Sequence, residues 1–195
     1  MKLYIVRHGQ TLFNLMGRIQ GWCDSPLTQK GIEQAKNLRL FFNDIPLSAG
    51  YYSGSERAGD TLELILNGRN IPIKKDKRLK EVYFGEYEAE YIKNIFLDGV
   101  VKPEVFYEHG GEHRHHAAQR FLAACKEIAQ KETGNVLIVS HGSVIRQFLE
   151  EHSETFRQLS KSQNLTQALV PNCSVSIIEI ENESVNIIQL PTIYQ

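Results

Sequence analysis

Two apolar runs in this chain end in the same way. LYIVRHG carries Arg7-His8-Gly9 and VLIVSHG carries Ser140-His141-Gly142, each directly after a short Val/Ile/Leu-rich stretch that reads as a buried strand. Open α/β sheets bind their ligands beyond the carboxyl ends of the strands. Both histidines therefore fall at the edge where a site is expected. If the strands over residues 3–6 and 136–139 are neighbours, two histidines 133 positions apart meet around one ligand. The glycine after each lets the chain turn sharply and a ligand approach the backbone. A strand-end histidine standing alone is as readily a helix cap or a loop contact; two in matching contexts favour a shared site.

The pattern elsewhere agrees with an α/β sheet. From Thr28 to Phe42, Ile32, Ala35, Leu38 and Phe41 or Phe42 recur at helical spacing, with Thr28 as N-cap. Tyr51-Tyr52 ends a second strand, and a helix runs from about Arg57 with Ala58, Leu62, Ile65 and Leu66 on one face. A long helix is expected after Gly110-Gly111, with Phe121, Cys125 and Ile128 aligned, and another carries Val144, Ile145, Phe148 and Leu149. Residues 70–112 are irregular: a short strand, a helix near 89–97, and loops. The last two apolar runs, 175–180 and 185–190, are joined by Glu181-Asn182-Glu183-Ser184 and read as an antiparallel hairpin. The expected fold is a three-layer α/β/α sandwich with a mostly parallel, doubly wound sheet and that hairpin at its end. One domain spans 1–195, with a cap or insert at about 86–116.

Charge narrows the partners. With 22 Lys+Arg against 23 Asp+Glu the net charge is −1, so no strongly basic surface exists for nucleic acid, and any anion must be drawn by a local cluster. Cys23, Cys125 and Cys173 form no CxxC pair and suggest neither a disulfide framework nor a zinc site. No apolar stretch approaches membrane-spanning length and MKLYIVRHG lacks a signal-peptide pattern, so a soluble, cytoplasmic protein is expected.

The residues around the two His-Gly turns suit a phosphoryl group. Arg7 precedes His8, and its planar guanidinium matches phosphate oxygens. Arg57 opens its helix after Ser53-Gly54-Ser55, where free N–H groups also favour anions. Glu81 follows a basic run and supplies one carboxylate. Each has an ordinary alternative: Arg57 pairing with Glu56 or Asp60, Glu81 as a solvated loop acid. Lys74, Lys75, Lys77, Arg78 and Lys80 read as a solvated face, and Trp22 and Phe84 as packing residues. His113, His115 and His116 invite a metal, but no HExxH-type pattern accompanies them, so no metal and no cofactor are expected.

VRHGQT, Asn14, RIQGWCDSPLT, SGSERA, KEVYFGEYEA, GGE and VSHG, in that order, resemble the histidine phosphatase superfamily, also called phosphoglycerate mutase-like. The resemblance covers nearly the whole chain. It implies that His8 is the nucleophile, that Arg7, Arg57 and His141 hold the phosphoryl oxygens, and that Glu81 is the proton donor, which needs a raised pKa to begin protonated. Asn14 and Gln20 match positions lining the phosphate pocket, and Gly21 and Gly142 are counted with them. The chain departs from the pattern at Gly59-Asp60-Thr61-Leu62, at Ala89, and at GGEH in place of GGES. These changes bear on substrate preference rather than on phosphoryl transfer. The implied activity is metal-independent hydrolysis of a small phosphorylated metabolite, with an isologous dimer as the default assembly. A 2,3-bisphosphoglycerate-dependent mutase is the alternative, disfavoured because only 59 residues separate Glu81 from His141. A silent binding module of the same fold would be expected to have lost one of these residues.

Overall fold

The structure, a computed structural model, describes residues 1–95, 104–162, 168–181 and 183–194. Strands β1 (Lys2–Arg7), β2 (Leu47–Tyr52), β3 (Ile73–Lys75), β4 (Asn135–Ser140), β5 (Val175–Glu181) and β6 (Ser184–Thr192) form one sheet in the order β3-β2-β4-β1-β5-β6. The first four are parallel; β5 runs antiparallel to β1, and β6 to β5. The expected sandwich and terminal hairpin are therefore both present, although Asn182 of the turn lies outside the described residues.

Alternation along the central strands explains the layers. Leu3 and Ile5 of β1 share one face with Val136 and Ile138 of β4, while Tyr4, Val6, Leu137 and Val139 line the other. The second face is covered by α2 (Gln29–Phe42) and α3 (Glu56–Leu66), through Ala35, Leu38, Phe42, Leu62 and Ile65. α2 starts where Thr28 accepts from the Gly31 N–H at 3.1 Å. The first face is covered by α6 (Arg114–Lys131), α7 (Gly142–His152) and α8 (Glu154–Ser162), through Phe121, Cys125, Phe148 and Phe156. Both edges resist pairing with other chains. β3 exposes Lys74 and Lys75, and β6 carries Pro191 next to its last residue.

Three short helices complete the chain: α1 (Leu12–Met16), α4 (Ile92–Ile95) and α5 (Glu104–Glu108). The helix expected near 89–97 is represented by α4, and its last two residues lie outside the described set. α6 begins at His113, whose ring Nδ1 accepts from the His115 N–H at 3.2 Å, so an imidazole does the capping in the GGEH segment.

One register positions the site. β1 and β4 pair from Leu3 opposite Val136 to Arg7 opposite Ser140, and the ladder continues as His8 N–H donates to the Ser140 carbonyl at 3.0 Å. The two His-Gly turns leave the sheet side by side.

Candidate active site

The His8 and His141 rings lie with centroids 5.3 Å apart, both buried. His8 Nδ1 is 2.8 Å from the Gly9 carbonyl. A carbonyl can only accept, so Nδ1 carries the proton and Nε2 is left as a free lone pair. Burial, then the charges of Arg57 and Arg7, hold the His8 pKa well below the ordinary imidazole value. The ring is thus neutral near pH 7, with its Nε2 lone pair available. The Gly9 N–H donates to Thr61 Oγ1 at 3.0 Å, and the Asn172 amide donates to the His8 carbonyl at 3.0 Å, which fixes the turn from both sides. Thr61 belongs to the Gly59-Asp60-Thr61-Leu62 departure, so that segment does reach the His8-Gly9 turn.

His141 is held by Ser53, whose Oγ lies 2.8 Å from Nε2. A hydroxyl can donate to Nε2 or accept from it, so this contact fits either tautomer, and Nδ1 is buried without a partner among the described residues. Its pKa is also pushed well below the ordinary value, by burial first and then by Arg57 and the other nearby cations. Ser53 was not anticipated individually, although it opens the SGSERA segment.

Arg57 is fully buried yet pairs with neither Glu56 nor Asp60. Its Nη1 donates to Asp24 Oδ1 at 2.8 Å and to the Cys23 carbonyl at 3.0 Å, and its Nη2 to the Gly21 carbonyl at 2.8 Å. The loop after α1 therefore grips the guanidinium by its tips and leaves Nε buried without an acceptor. Arg7 repeats the arrangement: Nη1 donates to the Val170 carbonyl at 2.7 Å while Nε is buried and unpaired. Burial lowers the Arg7 pKa, with Glu81 opposing, but an arginine keeps its charge under any ordinary condition. A Cβ at Gly142 would stand 3.2 Å from Arg7 Nε, so the bare glycine lets the guanidinium lie against the start of α7. Gly21 has a tighter reason: a Cβ there would meet the Val82 carbonyl at 2.5 Å. Its observed contact with the site is the carbonyl that holds Arg57.

Glu81 is no solvated loop acid. Its carboxylate is buried at the N-terminus of α7, where Oε1 accepts from the Val144 N–H at 2.8 Å and the Val82 N–H at 2.9 Å, and Oε2 accepts from the Ser143 N–H at 2.9 Å. The residue is gripped through its backbone as well. Its carbonyl accepts from Arg120 Nη2 at 2.8 Å and from the Trp22 indole at 3.0 Å. Trp22 is accordingly not a core residue. It stands 47% exposed beside Tyr83, because its Nε1 must reach a backbone acceptor at the site's edge, whereas Phe84 packs inside against Phe106.

Asn14 and Gln20 lie in the same loop region with much of their capacity used. Asn14 Oδ1 accepts from the Thr11 N–H and the Asn172 amide, both at 3.2 Å, leaving its amide hydrogens free. Gln20 accepts from Thr11 Oγ1 at 2.6 Å and donates to Ser25 at 3.0 Å, which makes it a strut of the loop. The basic run is largely spent on acids: Lys74 pairs with Glu132, and Arg78 with Asp76 and Glu127, while Lys80 sits 4.6 Å over the Trp22 ring. His113, His115 and His116 are exposed on the first turn of α6, with His115 at 3.0 Å from Glu151. Among the described residues no group of three His, Cys, Asp or Glu side chains is arranged to hold a metal.

Two buried N–H donors, from Arg7 and Arg57, and the Nδ1 of His141 thus have no partner among the described residues, beside a neutral imidazole. Leaving such donors unpaired is costly, and an oxyanion with several acceptor oxygens would satisfy them together. Comparison with known proteins agrees with this chemistry. The adenosylcobalamin/alpha-ribazole phosphatase of Escherichia coli is 29% identical over 155 residues, covering 74% of this chain and 75% of the relative. The 2,3-bisphosphoglycerate-dependent phosphoglycerate mutase 2 of Gloeobacter violaceus is 33% identical over 172 residues, covering 76% and 74%. The solved structure of Bacillus stearothermophilus YhfR superposes with a TM-score of 0.82 at 31% identity, covering 96% of this chain and 95% of that one. The profile of the histidine phosphatase superfamily (branch 1) matches residues 3–191, and the chain belongs to that family.

Proposed function

We propose that the protein is a metal-independent phosphomonoesterase that works through a phosphohistidine on His8. The observation that carries this reading is the pair of unpaired buried donors, Arg7 Nε and Arg57 Nε, with the unpartnered Nδ1 of His141, around a neutral His8. In the first step the His8 Nε2 lone pair forms the N–P bond as the ester P–O bond breaks, and the leaving oxygen takes a proton from Glu81, which must first acquire it against the three N–H groups that favour its carboxylate. In the second, water attacks phosphorus, its proton passes to the Glu81 carboxylate, and the P–N bond breaks to return His8 and free phosphate. Arg7, Arg57 and His141 hold the equatorial oxygens, where charge spreads in both transition states. Asn14 is assigned to the pocket wall, and Gln20, Gly21 and Gly142 to its support. The described parts of the 86–116 segment, 86–95 and 104–116, are assigned to a cap over the pocket within one domain.

The alpha-ribazole phosphatase relative favours hydrolysis of this kind. The mutase relative supports a second reading, transfer between two positions of one substrate, which requires that water be kept from the phosphoenzyme. The short segment between Glu81 and His141 argues for the hydrolase. A panel of phosphomonoesters in EDTA decides, followed by free phosphate and, for 3-phosphoglycerate with and without 2,3-bisphosphoglycerate, by isomer formation. Phosphate release lost in a folded His8→Ala variant is the expected result. Bisphosphate-dependent isomer with little phosphate would make the protein a mutase, and near-normal turnover by His8→Ala would overturn the mechanism.

A further inference from the structure

A third arginine stands apart from the two assigned to the phosphoryl group. Arg114 is the first residue of α6, beside the segment that carries the proposed proton donor. That segment is laced to the helix start. The Glu112 N–H donates to the Tyr83 carbonyl at 2.7 Å, and Arg120 joins the Glu112 carboxylate to the Glu81 carbonyl. Arg114 itself makes no ion pair or side-chain hydrogen bond among the described residues, and its Nε is buried without an acceptor. The charges that bear on it are Arg146, Glu150, Glu81 and Glu104, and burial followed by Arg146 pulls its pKa below the usual arginine value. Two of the acids are engaged elsewhere. Glu150 is held by Arg146 and by Ser160, and the Glu81 carboxylate by three backbone N–H groups. Glu104 is exposed on α5.

A half-buried guanidinium with an unsatisfied donor is costly unless something completes it. Its place beside Glu81 matters, because Glu81 serves the leaving oxygen. With Arg7, Arg57 and His141 assigned to the phosphoryl oxygens, Arg114, which lies within the field of Glu81, is left for the alcohol that departs. We propose that Arg114 recognises a second anionic group on that alcohol, so that the preferred substrates are phosphate esters whose alcohol carries a carboxylate or another phosphate. This assignment rests on the phosphomonoesterase reading for its naming of a leaving group, but not for its test.

Affinity separates the two. In a His8→Ala background, which binds esters without turning them over, calorimetry compares 3-phosphoglycerate with glycerol 3-phosphate, which differ by a carboxylate against a hydroxymethyl group. Fructose 1,6-bisphosphate against fructose 6-phosphate probes a second phosphate in the same way. Adding Arg114→Met is expected to weaken the member with the second anionic group in at least one pair by about 10- to 100-fold more than its partner, the range of a charge-assisted contact. Arg114→Lys should restore part of the difference. Equal weakening of both members in each pair, or no change in any, overturns the proposal, and thermal melting guards against a misfolded variant. Turnover of p-nitrophenyl phosphate by the wild-type protein tests the phosphomonoesterase reading separately.

Discussion

The phosphate pocket and the rim around it are built on different rules. In the pocket, each side chain is buried and tied to the backbone: Arg57 to the Gly21 and Cys23 carbonyls, Glu81 to three N–H groups, His8 to Gly9. These anchors come from the ends of β1 and β4 and from loops packed on them, so the sheet's own register sets the geometry. At the rim, α4 and α5 are four and five residues long, Trp22 is half-exposed, and contacts such as His115–Glu151 and His109–Glu86 join exposed side chains. Such surface pairs contribute little stability. Phosphoryl transfer demands fixed positions to a fraction of an ångström, and the sheet supplies them. On the proposed function the choice of alcohol does not need the sheet, and the rim is the part of the molecule that can change without disturbing the core.

The comparison is tested hardest at Arg57. Arg57→Ala removes a phosphate ligand and leaves Asp24 facing buried backbone, so both activity and stability should fall. Loss of a charge-stabilising donor of this kind costs about 100- to 1000-fold in kcat/KM, on every phosphate ester alike. Breaking the Asp24 pair should cost about 2 to 3 kcal/mol in urea unfolding, less than a fully buried pair because Asp24 is a quarter exposed. At the rim, Trp22→Ala should shift the ranking of substrates while leaving the unfolding midpoint nearly unchanged. If Trp22→Ala destabilised the protein as much as Arg57→Ala, the division into pocket and rim would be wrong.

Glu81 lies where the two regions meet, and its replacement should discriminate among alcohols. Glu81→Gln keeps the shape but cannot deliver a proton, so an alkyl phosphate should lose about 100-fold in kcat/KM. p-Nitrophenyl phosphate, whose leaving group needs little protonation, should lose less than about 5-fold on the same argument. Equal losses on both would mean that Glu81 acts only as the cap of α7.

Much of this arrangement was legible in the sequence, for reasons that also explain the remainder. β1, β4, α2, α3, α6 and α7 have strong apolar periodicity because each buries a face, and the Thr28 cap marks its helix locally. α1 has no buried residue and α8 has one, Phe156, so neither leaves a periodic trace. Arg7, His8, Arg57, Glu81 and His141 stand out because strand ends, glycine turns and the family motifs frame them. Their supports do not. Asp24, Ser53, Thr61, Asn172 and Arg120 act across long stretches of chain, and only the packed sheet shows which residue each one meets. Trp22 was misread for a related reason: an indole suits a core and a wet edge alike, and the Glu81 carbonyl that holds it at the edge is 59 residues away.

The smallest effect expected is also specific to the pocket. His8 and His141 are neutral in the folded protein at pH values where free imidazoles are already protonated. In the unfolded chain both titrate near the ordinary value of about 6.5. Below that pH the unfolded state binds more protons than the folded state, so stability is full above about pH 6.5 and is lost as the pH falls toward the depressed folded values. Each ring should cost about 1.4 kcal/mol between pH 7.5 and 5.5 by this linkage. Replacing one should remove its share, and carboxylates common to both proteins cancel in the comparison. His141→Asn is therefore expected to lose about 1.4 kcal/mol less than the wild type over that interval, measured by urea unfolding in buffers free of phosphate, which would stabilise the folded state by binding. An identical pH dependence in the two proteins would show that His141 is not held neutral, and the pocket would then owe less to burial than its geometry indicates.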